Sequence, residues 1–131
     1  MITSIDHIVL TSKDVDKTIE FYTKVLGMTL ERFLVANEKN ERLALKFGNQ
    51  KINIHDANSP FSPHAEYPTS GSIDICFLSR IDLKEWSKIF ATNNIAIENG
   101  PIRKTGATGP LMSLYVRDPD GNLIEISNPH A

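Results

Sequence analysis

One pattern occurs twice in this chain. Residues 5–11 (IDHIVLT) and 73–79 (IDICFLS) are short apolar runs of strand character, and each is followed by residues with helical periodicity. An offset of 67 residues brings His7 onto Asp74, Gly27 onto Asn94, Met28 onto Ile95 and Leu30 onto Ile97. The second half therefore reads as a diverged copy of the first. A duplicated strand–helix unit restricts the fold strongly, because each copy must bury one face of a sheet under its own helix.

In the first copy, Val15, Ile19, Tyr22 and Leu26 recur at three- and four-residue spacing, which predicts a helix over 14–26. Ser12 or Asp14 is its cap and Gly27 its stop. Strands are expected at 28–36, 42–47 and 50–55, separated by the turns NEKN and GNQ. Residues 57–72 carry three prolines and little periodicity and read as a surface linker. The second copy places Leu83, Trp86, Ile89 and Phe90 on one face of a helix over 82–92, with strands at 95–98, 111–117 and 122–127. Between them, GPIRKTGATGP at 100–110 reads as a mobile loop. The expected fold is α+β, one domain over 1–131, with module 1 at about 4–56 and module 2 at about 73–128, each β-α-β-β-β.

Composition narrows the function classes. Sixteen acidic against fourteen basic residues leave a net charge of -2, too balanced for capture of nucleic acid or of an anionic membrane. No apolar run nears the roughly 20 residues of a membrane span, and the N-terminus lacks the pattern of a secretory signal, so a cytoplasmic protein is expected. The single cysteine, Cys76, cannot close an intrachain disulfide, and its apolar surroundings suggest a buried, inert thiol.

Strand alternation sorts the side chains by face. Ile8 and Leu10, Ile52 and Ile54, Ile73, Ile75 and Phe77, Ile124 and Ile126, and Met112, Leu114 and Val116 form the core sets. His7, Asn53, His55, Asp74, Tyr115, Arg117 and Glu125 then share the opposite, helix-free face of one expected sheet. Val9, Leu43, Leu45, Phe47, Leu78 and Leu123 are assigned to that face as well, which suits a concave pocket better than an open polar surface. Glu125 lies between two isoleucines and Asp74 within SIDICF, and a carboxylate in such surroundings calls for a cationic partner. Arg103 and Lys104 are candidates for holding an anionic group. Phe21 and Tyr22 read as packing, and the turn from Asp118 to Gly121 as structural.

The segments IDHIVLTSKDVDKTIEFYTKVLGM, GSIDICFLS and YVRDPDGNLIEISN together resemble the vicinal oxygen chelate superfamily, which includes glyoxalase I, fosfomycin- and bleomycin-resistance proteins and extradiol dioxygenases. FGNQKINIHDA and GSIDICFLSR look closest to its glyoxalase-domain-containing protein 5 and bacterial virulence-protein branch. The resemblance implies paired βαβββ modules forming a cupped mixed sheet, helices outside, around a divalent metal such as Ni, Mn, Fe or Zn. On that template His7 matches the first ligand and Glu125 the last. The remaining slots fall on Asp74 or Ser72, and on Asn53 or His55. The implied activity is that of a metal-dependent lyase or isomerase acting on a substrate with two adjacent oxygens, with Glu125 or His55 moving the proton and Asn53, Arg103, Lys104, Tyr115 and Arg117 contacting the substrate. A small extradiol-type dioxygenase and a metal-free sequestering protein are the alternatives. The resemblance also implies a homodimer.

Overall fold

The structure, a computed structural model, describes residues 1–130. Its chain divides into two units, Met1–Gly71 and Ser72–Ala131. Unit 1 holds β1 (His7–Ser12), α1 (Val15–Glu20), β2 (Thr29–Phe33), β3 (Arg42–Phe47) and β4 (Gln50–Asp56). Unit 2 holds β5 (Asp74–Leu78), α2 (Leu83–Thr92), β6 (Asn99–Thr105), β7 (Pro110–Arg117) and β8 (Leu123–Pro129). Each unit forms its own four-stranded mixed sheet, in the orders β1-β4-β3-β2 and β5-β8-β7-β6. The first and last strands of each unit run parallel, and the other neighbours are antiparallel. The expected single sheet is thus two sheets of identical topology.

In unit 1, Asp14 caps α1 by accepting a hydrogen bond from the Lys17 amide at 3.2 Å. After Glu20 the helix widens into a π-turn over Phe21–Val25, closed by the Leu26 amide on the Phe21 carbonyl at 3.2 Å. The helix expected over 14–26 therefore changes geometry halfway, which turns both Phe21 and Tyr22 into the core. Leu10, Tyr22, Leu45, Ile52 and Ile54 form that core. A buried Ser12–Thr18 hydroxyl pair at 2.6 Å ties β1 to α1.

Register corrects one face assignment. Leu43 pairs with Ile54, and Leu45 with Ile52, so Leu43, Leu45 and, by alternation, Phe47 belong to the core face and not to the helix-free one. The helix-free face of β3 carries Arg42, Ala44 and Lys46 instead.

In unit 2, Asp82 caps α2 through the Lys84 amide at 2.8 Å. Leu83, Trp86 and Phe90 are its buried positions, above Leu114, Val116, Ile124 and Ile126. Both helices end in the left-handed region, Gly27 at φ 78° and Asn94 at φ 56°, the pair that the 67-residue offset aligns. The segment expected as a loop at 100–110 is mostly strand: β6 occupies Asn99–Thr105 and pairs with β7 around an irregularity between Asn99 and Ile102. Backbone hydrogen bonding to β7 overrides its turn-rich composition.

The turn before β8 is structural, as expected. Asp118, 5% exposed, accepts from the amides of Asp120 and Asn122 and from the Asn122 side chain, whose Oδ1 in turn accepts from the Ile73 amide at 2.9 Å. No helix among the described residues is long and apolar enough to cross a membrane.

Candidate active site

The helix-free face of unit 2 bears a cleft of about 480 Å³ lined by Asp74, Glu98, Asn99, Lys104, Tyr115 and Glu125, with Leu123. Register explains the grouping. Cys76 and Tyr115 flank Glu125 on the neighbouring strands, and Asp74 lies opposite Leu123, so these side chains emerge on one face. Two hydroxyls fix the Glu125 carboxylate. Ser113 Oγ donates to Oε2 at 2.7 Å and Ser127 Oγ approaches the same oxygen at 3.3 Å. Ser113 and Ser127 are fully buried, 2.7 Å from each other. Such hydroxyls hold a carboxylate in one orientation.

Tyr115 is the perturbed group of this cleft. Burial first, then the charge of Glu125 and a hydrogen bond to it, push its phenol up to about 12, with Cys76 and Asp74 adding to the shift. The phenol therefore stays protonated, a donor, throughout the neutral range. Lys104 Nζ stands 5.7 Å from the Tyr115 ring centroid. Arg117 shares the face but is engaged, with Glu98 at 3.1 Å and with the Gly121 carbonyl at 3.1 Å.

Cys76 corrects an expectation. It is an exposed residue rather than a buried one, because β5 is the edge of its sheet and Cys76 points to the helix-free side. Its thiol, 3.2 Å from Ser127 Oγ, is nevertheless pushed up, by partial burial and then by the Glu125 and Asp74 charges, which keeps it a poor nucleophile. Arg103 pairs with Met112 and so belongs to the opposite face from Lys104, which pairs with Leu111. The cleft gathers Asp74, Lys104, Tyr115 and Glu125 but not Arg103.

Unit 1 carries the imidazoles. His7 pairs with Lys51, Val9 with Asn53, and Thr11 with His55, so His7, Asn53 and His55 emerge on its helix-free face. His7 is exposed and bonded to Asp6 at 2.8 Å, an interaction that pulls the Asp6 carboxyl down. His55 is 4% exposed, its ring 5.7 Å from that of Phe61 in edge contact. Burial, with the nearby Arg42 and His64 charges, pulls its pKa down, so the imidazole is neutral at pH 7. His55 Nδ1 and Asn53 Oδ1 are both buried without a hydrogen-bond partner. Lys51 lies over the Phe33 ring at 4.3 Å, and Lys46 is 3.5 Å from Glu31.

A divalent metal takes neutral imidazole and carboxylate, and these residues match that requirement in kind. Asp74 and Glu125 are carboxylates on the helix-free face of unit 2, and His7 and His55, the latter with its Nδ1 orphaned, are imidazoles on that of unit 1, four register positions apart. Among the described residues, no three His, Cys, Asp or Glu side chains are gathered closely enough to hold an ion. Sequence reasoning missed Glu98, Asn99, Ser113 and Ser127; alternation along β7 and β8 puts both serines on the Glu125 face, and that is the signal that finds them.

Residues 4–126 match the model of the Glyoxalase/Bleomycin resistance protein/Dioxygenase superfamily. The chain belongs to that superfamily. Virulence protein STM3117 of Salmonella typhimurium is 47% identical over 97% of this chain and 85% of its own length. Its crystal structure superposes with a TM-score of 0.90, covering 99% of each chain. Glyoxalase domain-containing protein RDO1 of Mycosarcoma maydis is 46% identical over 95% of this chain and 68% of its own. Lactoylglutathione lyase GLX1 of Arabidopsis thaliana is 28% identical over 92% of this chain, which spans 42% of that protein. As a superfamily member the chain has the fold that its motifs imply, two βαβββ units with α+β architecture.

Proposed function

We propose that this chain is a metal-dependent lyase or isomerase of the glyoxalase type, acting on a small substrate that presents two adjacent oxygens. One observation carries the reading: in a single cleft, the carboxylates Asp74 and Glu125 stand beside a phenol, Tyr115, that remains protonated at neutral pH. Glu125 and Asp74 are the proposed carboxylate ligands, with His7 and His55 as the imidazole candidates. A bound divalent ion would supply Lewis acidity toward the paired substrate oxygens.

The chain's own groups have distinct parts in this reading. Glu125, oriented by Ser113 and Ser127, carries the proton between substrate carbon and oxygen. Tyr115 donates a hydrogen bond to a substrate oxygen as negative charge grows there. Lys104 receives an anionic substituent, and Asn53 contributes an amide. His55, neutral and desolvated, is the alternative base. Arg117, held by Glu98, serves to position that carboxylate at the cleft rim.

The test is a titration of chelator-stripped protein with Ni(II), Mn(II), Fe(II) and Zn(II), kept anaerobic and read by calorimetry. The expected result is about one site per chain, lost in Glu125→Ala and weakened in Asp74→Ala. His7→Ala and His55→Ala, titrated in parallel, identify the imidazole ligand. Screening of 2-oxoaldehyde–thiol adducts then follows, and oxygen uptake with catechols would replace the lyase reading with the dioxygenase one. Absence of binding by all four ions overturns the enzyme reading in favour of a sequestering protein.

A further inference from the structure

Unit 1 has a cleft of its own, on the side of its sheet opposite His7 and Asn53. It measures about 530 Å³, within the range of roughly 300–1,000 Å³ usual for small-molecule sites. Val15 at the start of α1, Leu43 and Ile54 from the core face of β3 and β4, and Phe61 from the segment after β4 supply its apolar walls. Leu43 and Ile54 are a registered pair, so they present one continuous apolar floor. Glu41 and Asp56 are its charged lining, and no lysine, arginine or histidine lines it. Glu41 is 3.3 Å from Arg32, whereas Asp56 directs one carboxylate oxygen to the Asn58 amide at 2.9 Å.

We propose that this cleft binds a small apolar amine, its hydrocarbon body between Phe61, Leu43 and Ile54 and its ammonium at Asp56. An anionic ligand would meet two carboxylates there, whereas an ammonium group would gain the Asp56 carboxylate as its partner. Phe61 couples the cleft to the other face of the sheet. Its ring lies under the Arg42 guanidinium at 4.2 Å and against His55, while Arg42 is itself paired with Glu38. An amine that packs on Phe61 therefore also perturbs His55.

The cleft shares no lining residue with the carboxylate cleft in unit 2, and the titration is made on metal-free protein because Phe61 touches His55. The experiment titrates the isotopically labelled full chain with benzylamine and, separately, with benzyl alcohol of nearly the same shape, following assigned amide and imidazole resonances. Benzylamine is expected to shift Val15, Leu43, Ile54 and Phe61 together with the His55 ring. Its affinity is expected to exceed that of benzyl alcohol about five-fold, the size of one partly screened charge pair. Asp56→Asn, which keeps the acceptor for the Asn58 amide, should remove the preference and leave the weaker binding intact. Phe61→Ala should weaken both ligands. Equal affinity of the native chain for the two probes, shifts confined to other residues, or a preference that survives Asp56→Asn would each overturn it.

Discussion

The two units share a strand order and, in the β1–β4–β3 and β5–β8–β7 pairings, a register, yet their helix-free faces carry different chemistry. Val9 pairs with Asn53 in unit 1 where Cys76 pairs with Glu125 in unit 2, so Asn53 is the positional equivalent of Glu125. By the same logic His7 corresponds to Asp74, His55 to Ser127, and Ala44 to Tyr115. Unit 1 thus holds imidazoles, lysines and buried polar atoms without partners, whereas unit 2 holds one carboxylate, Glu125, locked by two hydroxyls, with Asp74 and Lys104 in the same cleft. One scaffold, duplicated, separates the positioning of side chains from their identity. What the fold fixes is the face and the row; what the side chain does there is free to diverge.

The largest expected effect tests whether unit 2 owes its rigid face to its helix. Phe90 is fully buried and stacks on Trp86 with centroids 5.6 Å apart. Phe90→Ala should cost about 3–5 kcal/mol, the usual range for emptying such a site. Urea unfolding followed by the fluorescence of Trp86, the one tryptophan, measures it. A cost under 1 kcal/mol would mean that α2 is not what holds β7 and β8 in place.

A second contrast concerns the equivalent pair Ser127 and His55. Ser127 joins Ser113, Cys76 and Glu125 in one bonded group, so Ser127→Ala should lose about 1–3 kcal/mol, because the buried Ser113 hydroxyl and the half-buried Glu125 carboxylate each lose a partner. His55→Leu removes a ring whose Nδ1 has no partner, and should cost less. The reverse order would break the comparison.

The faces should also fail at opposite ends of the pH scale in the metal-free protein. His55 titrates below its ordinary 6.5 because burial disfavours its charged form, so as pH falls through 6.5 the unfolded chain takes up a proton that the folded one does not. Stability therefore drops on the acid side, and His55→Leu should flatten that limb. Tyr115 holds its proton to about 12 when folded but only to about 10 when unfolded, so stability drops as pH climbs between those values. Tyr115→Phe should flatten the alkaline limb. Denaturation midpoints across pH read both.

Much of this was legible in the sequence, and the reasons are physical. Alternation gave the faces of β1, β4, β5, β7 and β8 because each has an apolar set that must be covered. It misplaced Leu43, Leu45 and Phe47 because the face of a middle strand is settled by its register with β4, a long-range property. β6 was hidden because Gly100, Pro101 and Gly106 signal turns, while the pairing that makes it a strand comes from β7. Most residues of the unit 2 cleft follow from alternation along β5, β7 and β8; that Arg103 faces away depends on a register that an irregularity at Asn99–Ile102 shifts. Alternation puts Ser113 and Ser127 on the Glu125 face, but that their hydroxyls clamp its carboxylate follows only from the cross-strand pairing of β7 with β8.

The smallest expected effect is the most discriminating. Asn53 stands where unit 2 has Glu125, and its Oδ1 is buried with no hydrogen-bond partner, a state that costs about 1–3 kcal/mol in a folded protein. Replacing such a group with an apolar one of similar shape removes that cost, so Asn53→Leu should leave stability within about 0.5 kcal/mol of the native chain or raise it. The same logic gives its meaning. A polar side chain kept at a position where leucine would serve stability equally well is held there by something other than folding, and a ligand oxygen or ammonium that bonds to Oδ1 is the simplest such thing. Asn53→Leu that is as stable as the native protein but has lost affinity for metal or substrate would show that Asn53 is kept for a ligand. A variant destabilised by more than Ser127→Ala would instead show that Asn53 has a structural partner, and the contrast between the two faces would narrow to their charges.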